Sequence, residues 1–237
     1  MTLRPVIKAK NSRQKAAEWI ASRLPPNYRE MSYLEPFLGD GSVMLAKDPS
    51  VEELVSDSDR SIVSIWRALR DEHALFSSRL KRMNHSKSTF ERCLGSSGGD
   101  YMDEAVREFA LRQMSRSAEK SVYLCKPSES KCGDCWCDIF ERIPHVHERI
   151  KEIFILDKGA LEVIKNYDHD NCLLFCDPPP MDASNSDFHS ELGQALNDFR
   201  GKAALVAKNT AMYRRMYAKW NRKSLPASSG DSMWTNF

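Results

Sequence analysis

This 237-residue sequence has no marked excess of either charge: 35 Lys and Arg stand against 33 Asp and Glu, a formal net charge of +2. A chain that is basic throughout is excluded, so any nucleic-acid contact has to come from local clustering of basic residues. No apolar run approaches the length needed to span a bilayer, and no membrane partner is expected. The opening Met1-Thr2-Leu3-Arg4-Pro5-Val6-Ile7-Lys8 lacks the apolar core of a secretory signal. An even cysteine framework is also missing. The seven cysteines are an odd number and several sit in apolar runs, which argues against a secreted disulfide scaffold and for a reduced, cytoplasmic protein. Internal repeats and long low-complexity tracts are absent.

What is present is a folded core, with 41% hydrophobic residues. Short apolar runs with strand character occur at Tyr33-Leu34, Leu54-Val55, Ile153 to Leu156, Cys172 to Cys176 and Ala203 to Ala207. Helical spacing lies between them. Ile62, Ile65, Trp66 and Leu69 fall at i, i+3, i+4, i+7; Phe188, Leu192, Ala195 and Leu196 repeat such a face, as do Tyr213, Met216, Tyr217 and Trp220. This alternation predicts an α/β fold with a mostly parallel sheet covered by helices. The stretch from about Asp71 to Pro144 differs. It is polar, without a convincing buried strand, and predicts a mainly helical insertion between the second and third strands. The chain thus divides into a first α/β part at 1–70, the insertion at 71–147 and a second α/β part at 148–237.

The most informative motif is Asp177-Pro178-Pro179, directly after the apolar run Cys172-Leu173-Leu174-Phe175-Cys176. A buried strand that ends in an acid and two prolines places a rigid loop at the sheet's carboxyl edge, where open α/β sheets bind ligands. The prolines remove two N–H donors, so the loop offers acceptors only. Such a cluster suits an exocyclic amino group, which has two N–H bonds to donate. Phe37-Leu38-Gly39-Asp40-Gly41-Ser42 follows another strand, and its two glycines permit a sharp turn and close approach to a ligand. About one βα unit later Asp57 and Asp59 follow the next strand, where an acid commonly holds ribose hydroxyls; for Asp59 a helix N-cap is the alternative.

With these parts in order, the chain resembles the Dam-type DNA adenine-N6 methyltransferases, in the arrangement whose target-recognition domain precedes the Asp-Pro-Pro-Tyr motif. The resemblance runs nearly end to end. It is carried by Pro5 to Lys8, Tyr33 to Val43, Ser56 to Asp59 with Ile62-Val63, Ala160 to Ile164, Gly201-Lys202, Tyr213, Tyr217, Trp220 and the closing Met233-Trp234-Thr235-Asn236-Phe237. The resemblance implies a Rossmann-like methyltransferase sheet with an inserted target-recognition domain, S-adenosylmethionine as cofactor, and double-stranded DNA as partner of a monomeric, site-specific enzyme of the restriction-modification type. Asp177, Pro178 and Pro179 would be catalytic: Asp177 and the Pro178 carbonyl accept the amino protons of an adenine flipped from the duplex. Lys8, Arg13, Phe37, Gly39, Gly41, Ser42, Asp57 and Asp177 would border the cofactor. Arg112, Arg116, Lys120 and Tyr123 of the insertion would contact DNA.

Three departures from the family pattern fall at working positions, one of them a pair of residues. Pro180 replaces the aromatic that stacks on the extruded base, a contact worth about 1–3 kcal/mol. Asn11 and Arg13 stand where a Gly and a Lys are usual near the cofactor, and Gly159 stands where an acid is expected, with Asp157 two residues upstream. The alternative reading is therefore a catalytically impaired methyltransferase-fold protein that still binds DNA. A nucleotide-binding α/β protein unrelated to DNA would leave Asp177-Pro178-Pro179 and the C-terminal motif as coincidence. Cys125, Cys132, Cys135 and Cys137 are read as free thiols in a loop and no metal is assigned, although thiolates at this spacing could also serve zinc. Cys172 and Cys176 are expected to fill the core, and His189 to face solvent.

Overall fold

A computed structural model describes residues 3–124, 136–226 and 230–237. Its elements in chain order are α1 (Ala17–Ala21), β1 (Ser32–Glu35), α2 (Ser42–Ala46), β2 (Glu52–Ser56), α3 (Arg60–Asp71), α4 (His73–Lys81), α5 (Lys87–Gly95), α6 (Tyr101–Met114) and α7 (Trp136–Ile150). There follow β3 (Phe154–Leu156), α8 (Ala160–Asn166), β4 (Cys172–Cys176), α9 (Ser186–Asp198), β5 (Lys202–Lys208), α10 (Ala211–Met216), β6 (Asn221–Ser224) and β7 (Asp231–Thr235). The five expected strands are β1 to β5. The expected helical faces form α3, α9 and α10, although α10 ends at Met216 and leaves Tyr217 and Trp220 beyond it.

The chain forms two compact units. One comprises Arg13–Leu38, Ala46–Ser58 and Ile153–Phe237, and contains the whole sheet. Its seven strands run in the order β3-β2-β1-β4-β5-β7-β6. The first five are mutually parallel, and β7 and β6 add an antiparallel hairpin at the far edge, giving a mixed α/β sheet. Every residue of β4 is buried, as a central parallel strand requires. Alternate residues Leu34, Leu54, Leu174, Cys176, Leu205 and Trp234 build one core with Val163 and Ile164 of α8, Leu192 and Leu196 of α9, and Tyr213 of α10. Cys172 and Cys176 belong to that core as expected. Burial pushes the Cys172 thiol up to about 12 and the Cys176 thiol well above its ordinary value. Burial thus disfavours the thiolate form of both.

The other unit comprises Met1–Ser12, Gly39–Leu45 and Asp59–Glu152. It contains α3 to α7, four of which lie wholly in the predicted insertion or run past its end. Ile62, Ile65, Trp66 and Leu69 of α3 are buried, as are Phe76, Leu80, Phe109, Ile143 and Val146 from the other helices. Phe76 meets Phe109 edge to face at 5.3 Å between centroids. Asp59, Ser86 and Asp100 cap α3, α5 and α6 through their side chains. Pro144 does not close the helical stretch: it lies inside α7, which continues to Ile150. Pro144 is exposed and supplies no amide to that helix's hydrogen-bond ladder. Among the described residues no helix is long and apolar enough to cross a membrane.

Candidate functional site

Because β1 to β5 are parallel, the residues that follow them emerge at one edge of the sheet. Phe37 follows β1, Asp57 follows β2, Asp157 follows β3 and Asp177 follows β4. β1 lies between β2 and β4, so the chain order reverses at the β1–β4 boundary. The crevice outside such a boundary is where open α/β sheets take their ligands. Asp57 is partly exposed there, and the amide of Leu38 donates to the carbonyl of Ser56 at 2.9 Å, fixing the two strand ends against each other. Phe37 packs edge to face against Phe188 of α9 at 6.2 Å.

Asp177 is the motif acid, and it is gripped. Arg13 Nε donates to Asp177 Oδ1 at 3.0 Å and Oδ2 at 2.8 Å, and Arg13 Nη2 donates to Oδ1 at 2.8 Å. Arg13 Nη1 reaches the other way, to Asp231 Oδ2 of β7 at 2.6 Å. The side chains of Arg13, Asp177 and Asp231 are 17%, 13% and 17% exposed. Burial alone would lower the Arg13 pKa, but the hydrogen bonds and charges of Asp177 and Asp231 raise it overall. One guanidinium thus serves two carboxylates. Arg13, expected beside the cofactor, is placed on the motif acid Asp177, and Asp231 joins the cluster without any sequence signal.

Pro178 is buried, whereas Pro179 and Pro180 are exposed. The Pro180 carbonyl accepts from Asn185 Nδ2 at 3.1 Å, and Asn185 Oδ1 accepts from the Asp182 amide at 2.7 Å, so the loop is tied to the start of α9. His189 is a correction: it does not face solvent but is 1% exposed. Its Nδ1 shares a hydrogen bond with Tyr213 Oη at 2.7 Å, and its Nε2 is buried with no partner within bonding geometry among the described residues. Burial lowers its pKa, opposed by the charge of Asp182 and the carbonyl of Pro179. The signal was available: His189, Leu192, Gly193 and Leu196 are the buried face of α9, spaced i, i+3, i+4, i+7.

The glycine turn belongs to the other unit. Gly39 and Gly41 have φ of 50° and 66°, the left-handed region that favours glycine. A Cβ on Gly41 would stand 2.7 Å from Trp66 Cζ2, so no side chain fits, while open space surrounds that position on Gly39. Trp66 Nε1 donates to the Gly39 carbonyl at 3.0 Å and holds the turn. Asp40 folds inward: its Oδ1 accepts from Ser42 N at 3.1 Å and Ser42 Oγ at 2.6 Å. Burial raises the Asp40 pKa against the lowering effect of those bonds. Ser42, expected at the cofactor, therefore spends its hydroxyl on Asp40. Lys8 Nζ donates to the Ser115 carbonyl at 2.5 Å, pinning the N-terminal segment to the end of α6.

The four residues expected to contact DNA have different surroundings. Arg112 is 7% exposed, and its Nη2 donates to Asp59 Oδ2 at 2.6 Å and to Ser61 Oγ at 2.7 Å, joining α6 to the start of α3. Asp59 is the cap of α3, the alternative reading of that acid. Arg116 is exposed. Lys120 pairs with Glu108 at 2.7 Å, and Tyr123 lies between His85 and Phe90, 6.0 and 5.7 Å from their rings. Gly159 is the exposed residue that opens α8, and Asp157 is exposed after β3. Cys125, Cys132 and Cys135 lie outside the described residues; Cys137 is exposed.

No protein-family model and no curated protein matches this sequence. Among solved structures the chain is similar to a conserved hypothetical protein of Streptococcus pyogenes, with 9% identity, a TM-score of 0.45 and coverage of 92% of both chains. It is similar also to yhhF of Escherichia coli, described as a candidate methyltransferase, with 9% identity, a TM-score of 0.46 and coverage of 97% of this chain and 88% of that one. A third likeness is to SMU.472, a candidate methyltransferase complexed with SAH, with 10% identity, a TM-score of 0.43 and coverage of 96% and 54%. The likeness to these proteins is distant.

Proposed function

We propose that this chain transfers a methyl group from S-adenosylmethionine to the N6 amino group of adenine in duplex DNA. The observation that carries the reading is Asp177-Pro178-Pro179 leaving the carboxyl end of β4 beside β1, at the reversal of strand order. A loop without N–H donors of its own, its carboxylate already held by Arg13, stands where the fold takes ligands. The cofactor fits the residues of the same edge: a partly exposed acid, Asp57, follows β2 where ribose hydroxyls are bound, and Phe37 offers an apolar wall after β1. The bound cofactor would supply an electrophilic methyl group.

The rest of the chemistry belongs to the protein. Asp177 and the Pro178 carbonyl accept the amino protons of the flipped adenine, which localises the nitrogen lone pair and aims it for in-line transfer. No covalent enzyme intermediate is needed. Arg13 sets the orientation of Asp177, so the amino group shares that carboxylate with a guanidinium. Helices of the segment between β2 and β3 are assigned to target recognition. A second reading, a DNA-binding protein that has lost transfer, is favoured by the same Arg13–Asp177 contact together with Pro180. Tritiated methyl transfer from S-adenosylmethionine to methylation-free genomic DNA, followed by nucleoside analysis, separates the two. Label in N6-methyladenine is the expected result; binding of cofactor and DNA without label would establish the second reading.

A further inference from the structure

Six Lys or Arg and no Asp or Glu occur between Lys208 and Ser224, in a chain whose overall charge is almost balanced. These residues occupy the end of β5, α10 and β6, within the unit that holds the sheet. Arg214, Arg215, Lys219 and Arg222 are exposed. Two of them converge: Arg214 Nη1 donates to Asn209 Oδ1 at 3.3 Å and Arg222 Nη1 donates to the same oxygen at 3.0 Å. Among the described residues neither guanidinium is bonded to a carboxylate. Arg222 pairs across the ladder with Trp234, which packs with Tyr213 of α10, so Arg222 and α10 share one face of the sheet.

Two cations focused on one neutral oxygen repel each other unless an anion is shared between them. Lys and Arg on an edge strand such as β6 also discourage edge-to-edge pairing. That role accounts for Arg222 and Lys223, but not for Arg214 and Arg215 on α10 or Lys219 just after it, nor for the convergence on Asn209. We infer that α10 and β6 form a phosphate-contacting face for duplex DNA, with Arg214 and Arg222 clasping one stretch of the backbone. This placement puts a cationic contact on the sheet unit, where none was expected. It rests on the reading of DNA as the substrate.

The test compares the full-length chain with the double variant Arg214→Gln/Arg222→Gln, and with Lys165→Gln, an exposed lysine of α8, as control. Affinity for a labelled DNA duplex and for a matching RNA duplex is measured over a series of salt concentrations. Thermal melting and S-adenosylmethionine calorimetry confirm that the variants fold. The double variant should bind DNA at least about tenfold more weakly at low salt, with the slope of log affinity against log salt reduced by about 2, one for each phosphate that is no longer neutralised. Lys165→Gln should match the wild type. Unchanged affinity and slope in the double variant would overturn the inference, as would binding of RNA alone or of neither nucleic acid by the wild type. The methyl-transfer reading fails separately: a DNA-binding wild type that transfers no methyl group refutes it while leaving this face standing.

Discussion

Arg13 holds Asp177 through two nitrogens and Asp231 through a third, bringing together residues 164 and 218 positions apart in the chain. The carboxylate that would receive the adenine amino group is therefore oriented before any substrate arrives, and by a cation. A guanidinium does this better than an ammonium, because its planar fork matches both oxygens of a carboxylate.

Arg13→Ala leaves Asp177 and Asp231 without their shared cation. Removing one partner of a fully buried pair costs about 3–5 kcal/mol; with the partial exposure seen here about 1–3 kcal/mol is expected. Urea unfolding measures it. Arg13→Lys should recover part of that loss, since it restores the charge but not the bidentate contact. Equal stability of all three proteins would show that the clamp does not contribute to the fold.

Asp177→Ala should abolish methyl transfer while S-adenosylmethionine affinity changes by no more than a few-fold. Asp177 is the side-chain acceptor of the loop, and alanine leaves only carbonyls. Turnover close to wild type would remove the loop from the chemistry.

Asp57→Ala should weaken S-adenosylmethionine binding by about ten- to a hundredfold, the range for losing a hydrogen bond to a charged group of about 1.5–3 kcal/mol. Calorimetry gives the number directly. An unaltered dissociation constant would take Asp57 out of the cofactor site.

Pro180→Tyr should raise transfer to duplex DNA by about ten- to a hundredfold, from a base-stacking contribution of about 1–3 kcal/mol. Pro180 is exposed, so a ring at this position has room. The gain should be smaller on a mismatched target, where extrusion of the base costs less. A variant that binds cofactor and DNA and yet gains no rate would locate the defect elsewhere, at Gly159 or at Asn11 and Arg13.

His189 gives the protein a pH dependence whose sign can be fixed. Its native pKa lies below the ordinary value, so the unfolded chain takes up the proton first. Stability is fully present above the unfolded value of about 6.5 and is lost as pH falls from there toward the depressed native value. His73, whose pKa is also lowered by burial and by the charge of its stacked neighbour His147, acts in the same direction. Melting temperatures of wild type and His189→Gln at pH 8 and pH 5.5 isolate the His189 share. The variant should lose less stability between the two; equal losses would exclude His189 from the effect.

The most legible strand in the sequence is β4, whose residues are all buried. β4 reads Cys-Leu-Leu-Phe-Cys, and an unbroken apolar run between polar segments has few other uses. β6 reads Asn-Arg-Lys-Ser, fully exposed, and becomes a strand only because β7 offers it a ladder. No local pattern announces that. The candidate site divides in the same way. The Asp-Pro-Pro loop and the glycine turn are local and can be read directly, whereas Asp231 reaches Asp177 through Arg13 and is visible only once the sheet has closed. Arg112 reads as a surface cation, although it falls three residues after the buried Phe109 on α6 and so shares that helix's inward stripe.

The burial of β4 has a kinetic use. Cys172 and Cys176 begin and end the strand, are 1% and 0% exposed, and have thiols held protonated by burial. A soluble alkylating reagent needs a thiolate in contact with water, so neither cysteine can react while the strand is in place. Exposed Cys137 has no such protection. Peptide-resolved mass spectrometry after timed alkylation would therefore record how often β4 opens, reading the lifetime of the strand that delivers Asp177 from the two sulfurs that flank it.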